Sequence, residues 1–183
     1  MSNVTIVCCY NNEKAYNDLV NSLKTQTCPY ELIGIDNRDN KNFSACSKAL
    51  NSVINQVKTK YVIYSHQDII LTTPDALAKF MNYLEKTGPD DILGVAGTKF
   101  EIPGTISNIR HGKNLTYAGP NRVVNGFMEG DTLDECFFAG HAKHFLEYPF
   151  DEIICDNWHL YAAEACLRTK SNYVQGGGAC LYL

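Results

Sequence analysis

His66, Gln67 and Asp68 interrupt the segment KYVIYSHQDIIL, Lys60 to Leu71, where a short β-rich apolar run stops abruptly on polar side chains. A carboxylate at the carboxyl tip of a buried strand in an open α/β sheet stands where such sheets bind ligands. Its natural partner there is a divalent cation carrying phosphate oxygens. Asp68 is therefore the first candidate metal ligand; its plainer reading is a turn or capping acid. Tyr10-Asn11-Asn12 and Asp36-Asn37 stand at the ends of two other β-rich runs, where Asn and Asp form turns in their own right. Cys136, His141, His144, Cys155 and His159 supply the donor types of a zinc site, but C-x4-H-x2-H with a distant Cys and His matches no compact finger spacing. His141 and His144 fit better beside a loop or in solvent.

Side chains at several strand ends can meet only if the strands lie side by side. Val4 to Tyr10 reads as a strand, followed by Tyr16, Leu19, Val20 and Leu23 at helical spacing. Leu32 to Ile35 is a second strand, and Cys46, Ala49, Leu50, Val53, Ile54 and Val57 predict a helix after Ser44 as its N-cap. Tyr61 to Ser65 is a third strand. Thr73-Pro74 opens a helix with Leu77, Phe80, Met81 and Leu84 on one face, and Ile92 to Ala96 is a fourth strand. This alternation predicts an α/β domain: an open, mainly parallel sheet joined by right-handed crossovers and covered by helices on both faces. From Gly97 to Asp131 the pattern dissolves into a long loop or hairpin excursion with a β-like piece at Asn121 to Val124, and such excursions often serve as lids. Cys136 to Ala139 is a strand candidate, and a helix is expected from about Asp156 to Arg168. The chain closes on Tyr173-Val174 and Cys180 to Leu183, with Gly176 to Gly178 between them.

The 183 residues fit one domain, with a core large enough to need no staples. A net charge of -4 with scattered basic residues argues against binding the nucleic-acid backbone. The eight cysteines form no CxxC pair and several sit in apolar runs, so they read as reduced thiols. The sequence has no charged-then-apolar leader and no apolar stretch of about 18 residues, and a cytoplasmic protein without a transmembrane segment is expected. The sequons at Asn3, Asn42 and Asn114 are then chance matches.

The opening strand VTIVCCYNN, IDN at Ile35 to Asn37, the segment SACSKALNSVINQVKTKYVIYSHQD, GVAG at Gly94 to Gly97, and LDECFFAG followed by FDEIICDNWHLYAAEACLR resemble, in order and spacing, the GT-A-fold glycosyltransferases. The likeness is to the family-2-like enzymes, which move a sugar from a nucleotide-diphosphate donor. It implies a single domain over residues 1–183, with 1–97 as the nucleotide-sugar half and 98–183 as the acceptor half. It further implies that Asp68 matches the last acid of an Asp-x-Asp motif and binds Mn or Mg, with His66 in the first acid's place. That change implies either a lower metal affinity or a preference for Mn over Mg, since imidazole suits softer ions. Cys9, Tyr10, Asn11, His66 and Gln67 would then contact the donor, and Asp36 a uracil-type base or ribose, with Asn37 and Arg38 weaker candidates. Lys48 is a weaker candidate for a phosphate contact and more simply a solvated side chain.

In the second half the resemblance implies that His159 is an additional metal ligand and Trp158 an aromatic near the acceptor sugar; a surface histidine and a core tryptophan are the plainer readings. Transfer with inversion needs a base for the acceptor hydroxyl. Relatives carry an acid just after the Tyr of this segment, whereas this chain has Ala162, with Glu164 two residues on and off that helix face. Asp156 and Glu164 are the leading catalytic candidates, and Asp134, Glu135 and Asp151 the others. The function expected is metal-dependent, inverting transfer from a UDP-sugar to a saccharide acceptor in polysaccharide biosynthesis. The alternatives are a noncatalytic nucleotide-sugar-binding module and, less in keeping with the opening loop, a sugar-nucleotide nucleotidyltransferase.

Overall fold

Successive residues of the first strand, β1 (Val4–Tyr10), serve opposite apolar layers: Val4, Ile6 and Cys8 pack into one, and Val7 into the other. The same two-residue alternation divides Tyr61 and Ile63 from Val62 and Tyr64 in β3 (Tyr61–Ser65). A strand buried on both faces has to be roofed twice. One roof is α1 (Glu13–Lys24), through Leu19 and Leu23, with α3 (Ala76–Leu84), through Leu77, Phe80, Met81 and Leu84. The other is α2 (Cys46–Asn51), α4 (Ala142–Glu147) and α5 (Tyr161–Arg168).

The computed structural model describes residues 2–112, 114–123, 125–169, 172–175 and 180–182. Gly176 to Gly178, Val124 and Leu183 lie outside the described residues. The remaining strands are β2 (Glu31–Asp36), β4 (Ile69–Leu71), β5 (Ile92–Gly94), β6 (Ala96–Lys99), β7 (Ile102–Ser107), β8 (Arg110–His111) and β9 (Thr116–Tyr117). They continue with β10 (Phe127–Gly130), β11 (Thr132–Leu133), β12 (Phe137–His141), β13 (Asn172–Gln175) and β14 (Cys180–Tyr182). The central sheet runs β10-β13-β5-β12-β3-β1-β2. Pairing is parallel for β1 with β2, β1 with β3 and β13 with β5, and antiparallel where β12 and β10 reverse direction. The α/β class with a largely parallel sheet is thus as expected from the alternation.

Several elements differ from the sequence expectation. The helix after Ser44 starts at Cys46 with Ala45 as its cap and ends at Asn51; a separate 3-10 turn at Ile54–Gln56 carries the remaining apolar residues into the core. The late helix begins at Tyr161 and not near Asp156, because Leu160 takes a left-handed conformation (φ 72°) that a continuing helix cannot accommodate. The Gly97–Asp131 excursion is β-structure: β6 and β7 join β11 in a small sheet, and the β8–β9 pair joins β14 and β4 in another. Its strands are too short and glycine-broken to leave a clear alternation. Among the described residues no helix is long and apolar enough to cross a membrane.

Candidate active site

Strand order turns at β1, with β2 on one side and β3 on the other, and the crevice at the carboxyl ends of such strands is where open α/β sheets take ligands. A cavity of about 220 Å³ lies there. Cys9, Tyr10 and Asn11 reach it from β1, Asn37 from the end of β2, and His66, Gln67 and Asp68 from the end of β3. Cys46 of α2 and the turn residues Trp158 and His159 close it.

The walls are tied together by hydrogen bonds. The Gln67 side-chain oxygen accepts from the backbone N–H groups of Asn11 (2.9 Å) and Asn12 (2.8 Å), and its amide donates to Asn11 Oδ1 (2.8 Å). Asn37, fully buried, accepts from the N–H groups of Asn42 and Phe43 and donates to the Phe43 carbonyl, shaping the loop after β2. His66 Nε2 and the Tyr161 hydroxyl are 3.2 Å apart, and burial holds that imidazole below its usual pKa. Burial also raises the thiols, Cys9 to about 11 and Cys46 to about 12, so both are uncharged at neutral pH. The Tyr10 ring lies flat on the Tyr16 ring, with centroids 4.0 Å apart and planes 6° from parallel. Asp68 Oδ1 is buried with no hydrogen-bond partner.

A second cavity, of about 340 Å³, abuts the first and shares His66 and His159 with it. Asp134, Glu135 and Cys136 line one side, and Thr105, Ser107 and His111 of the excursion line another. Its carboxylates arrive through the reversed strand. β12 runs antiparallel to β3, with Phe137 opposite Ser65, so the residues before β12 emerge at the end of the sheet where β3 stops. The His66 N–H bonds the Cys136 carbonyl at 2.9 Å across this junction. Glu135 is largely buried: its Oε2 lies 3.6 Å from His159 Nδ1, it accepts from the Leu160 N–H, and its Oε1 has no partner. Burial pushes the Glu135 carboxyl above the usual carboxylate range, while neighbouring His159 acts the other way. Asp134 accepts from the Cys136 N–H at 2.9 Å in a local turn.

Several sequence candidates sit elsewhere. Asp36 lines neither cavity; its carboxylate binds the Arg38 guanidinium and backbone N–H, which lower its pKa. Glu164 also lines neither cavity and is clamped by Arg168, which donates in addition to the Pro149 carbonyl. Asp156 is exposed and borders neither cavity, and Asp151 caps the turn at Ile153 and Ile154. Ala162 is fully buried. Lys48 bonds Ser44. Trp158, expected beside the acceptor, lines the first cavity and not the second. The zinc grouping is dispersed: His141 ends β12 opposite Tyr61 at the start of β3, and His144 lies in α4, buried and not solvated. Among the described residues no three His, Cys, Asp or Glu side chains converge as metal ligands. Cys46, Thr105, Ser107 and His111 escaped the sequence reading, since nothing in their spacing marks them as site residues.

The sequence matches the "Glycosyltransferase like family" over residues 5–175. No curated protein matches it. Among solved structures, the fold is similar to S. aureus TarS 1-349 in complex with UDP-GlcNAc, with a TM-score of 0.66 and 15% identity over 99% of this chain and 58% of that one. It is similar as well to GalNAc-T7 with UDP, GalNAc and Mn2+, with a TM-score of 0.72 and 9% identity over 100% of this chain and 44% of that one. The chain thus spans less than two thirds of either neighbour. A197 from STIV matches with a TM-score of 0.52 and 11% identity over 96% of this chain and 82% of that one. Identities this low speak for the fold, whereas the family match runs from β1 to β13 and takes in nearly all of the residues around both cavities. On that match the chain belongs to the glycosyltransferase-like family, with a GT-A, family-2-like fold.

Proposed function

We propose that this chain transfers a sugar from a UDP-sugar in the first cavity to a saccharide hydroxyl in the second, with inversion at the anomeric carbon. The observation that carries this reading is the pair of abutting cavities that share His66 and His159, with Asp68 in one and Glu135 in the other. Two substrates need adjoining rooms and a common wall. The solved neighbours bind UDP-GlcNAc in one case and UDP, GalNAc and Mn2+ in the other, which supports a UDP-sugar as the donor.

A divalent cation fits the first cavity. Asp68, whose Oδ1 is buried and unpartnered, and His159 both line it, and a hard or borderline cation accepts both donor types. With no third protein ligand gathered there among the described residues, diphosphate and water oxygens would complete its shell. When bound, such an ion neutralises charge on the departing diphosphate. The remaining work falls to the chain. Tyr10 offers a flat ring to the base, and Gln67 holds the Asn11-Asn12 turn against the donor. Glu135 accepts the proton of the acceptor hydroxyl as its oxygen bonds to the anomeric carbon and the sugar–phosphate bond breaks, its electrons leaving with UDP. A carboxylate raised by burial is a stronger base than a solvated one, which suits this role.

Calorimetry of UDP with and without Mn tests the donor side directly. Wild-type protein should bind UDP more tightly with Mn, and Asp68→Asn should remove the Mn-dependent gain while the thermal unfolding midpoint stays within a few degrees. Equal Mn dependence in the mutant would overturn the metal assignment.

A further inference from the structure

Tyr16 and Gly34 lie outside the cavities, yet both are fitted to Tyr10, which lines the first one. The Tyr10 and Tyr16 rings are stacked at 4.0 Å and nearly parallel, a closer face-to-face contact than free aromatic side chains usually adopt. Gly34 sits opposite Cys8 in the β1–β2 pairing, and a Cβ built on it would meet Tyr16 Cζ at 2.8 Å and Tyr10 Cε1 at 3.4 Å. Gly34 needs no left-handed backbone; it lies in the middle of a regular strand, where glycine ordinarily weakens the sheet. The space it leaves is filled by the end of the Tyr16 side chain. One face of Tyr10 is therefore covered by Tyr16, which fixes the tilt of a ring whose residue lines the first cavity.

We infer that Tyr16 is a positioning residue, seated by Gly34, that braces Tyr10 as the stacking wall for the nucleoside base of the donor. The inference rests on the first cavity being the nucleotide site. Fixing the ring beforehand removes rotamer freedom that binding would otherwise have to quench, so the brace should add affinity only for ligands that carry a base.

The test is calorimetry with two probes, UDP and inorganic pyrophosphate, each with Mn, on the wild type and on Tyr16→Leu, Tyr16→Phe and Gly34→Ala. Tyr16→Leu and Gly34→Ala should each weaken UDP binding about tenfold, and Tyr16→Phe, which keeps the ring, should restore it. Pyrophosphate affinity should be the same in all four proteins. UDP affinity unchanged in Tyr16→Leu would overturn the brace while leaving the donor site standing. An equal loss for UDP and pyrophosphate would also overturn it, by showing a general disturbance of the cavity. A wild type that binds no UDP would overturn the nucleotide site and the brace together.

Discussion

Glu135 and Glu164 are both flanked by residues that suit a base, and only their surroundings separate them. Glu164 is locked to Arg168 one helical turn away and faces neither cavity. Glu135 is buried, lines the second cavity and keeps one oxygen without a partner. Replacing Glu135 by Gln should slow sugar transfer roughly a hundredfold or more with UDP affinity preserved. Glu164→Gln should leave the rate alone and cost about 1 kcal/mol of stability or less, since its arginine is partly solvated. Initial rates with a UDP-sugar and equilibrium denaturation of both variants check this, and a normal rate for Glu135→Gln would remove it as the base. At this scale strand ends announced Tyr10, Asn11, His66, Gln67 and Asp68 by an abrupt change from apolar to polar, while Cys9 and His159 came from the resemblance to the family; all of them line the first cavity. It could not rank the carboxylates. Which of them lines the second cavity depends on a strand reversal that leaves no mark on local spacing.

The turn that carries His159 is the element on which the two cavities depend. Leu160 is left-handed and largely exposed, a conformation that costs an ordinary side chain about 1–2 kcal/mol. Its N–H binds Glu135 and its carbonyl receives the Glu164 N–H, so the strained residue joins the second-cavity carboxylate to the first turn of α5. Leu160→Gly should relieve the strain and raise stability by up to about 1 kcal/mol, because little burial is lost. Transfer should nevertheless slow several-fold, as a glycine lets His159 and Glu135 drift apart. Thermal unfolding and steady-state kinetics on the same preparation check this; a less stable variant with a full rate would contradict it. The sequence reading placed a helix start near Asp156. The break at Leu160 was illegible, since leucine is a residue that normally extends a helix.

Across the whole molecule, the alternation of strand and helix in the first hundred residues was enough to give the sheet, since buried parallel strands and their crossover helices write their pattern strongly. The second half was harder: β8 and β9 are two residues each, β7 is broken by Pro103 and Gly104, and β6 and β8 pair with β11 and β14 from far along the sequence. That excursion supplies Thr105, Ser107 and His111 to the second cavity. If it closes over substrates, amide exchange in Ile102–Ser107 and Thr116–Tyr117 should slow when a UDP-sugar and acceptor are both present. Equal protection with and without them would make it a fixed wall.

The wall that the two cavities have in common also makes their occupants interdependent. If the first cavity takes a nucleotide and the second an acceptor, as proposed, His66 and His159 cannot settle around the one without changing what the other meets. Whatever factor UDP applies to acceptor affinity, the acceptor must return to UDP, because a binding cycle closes regardless of which ligand arrives first. A pair of imidazoles facing both rooms is thus a conduit for cooperativity between donor and acceptor, and its sign is set by which side holds them more firmly.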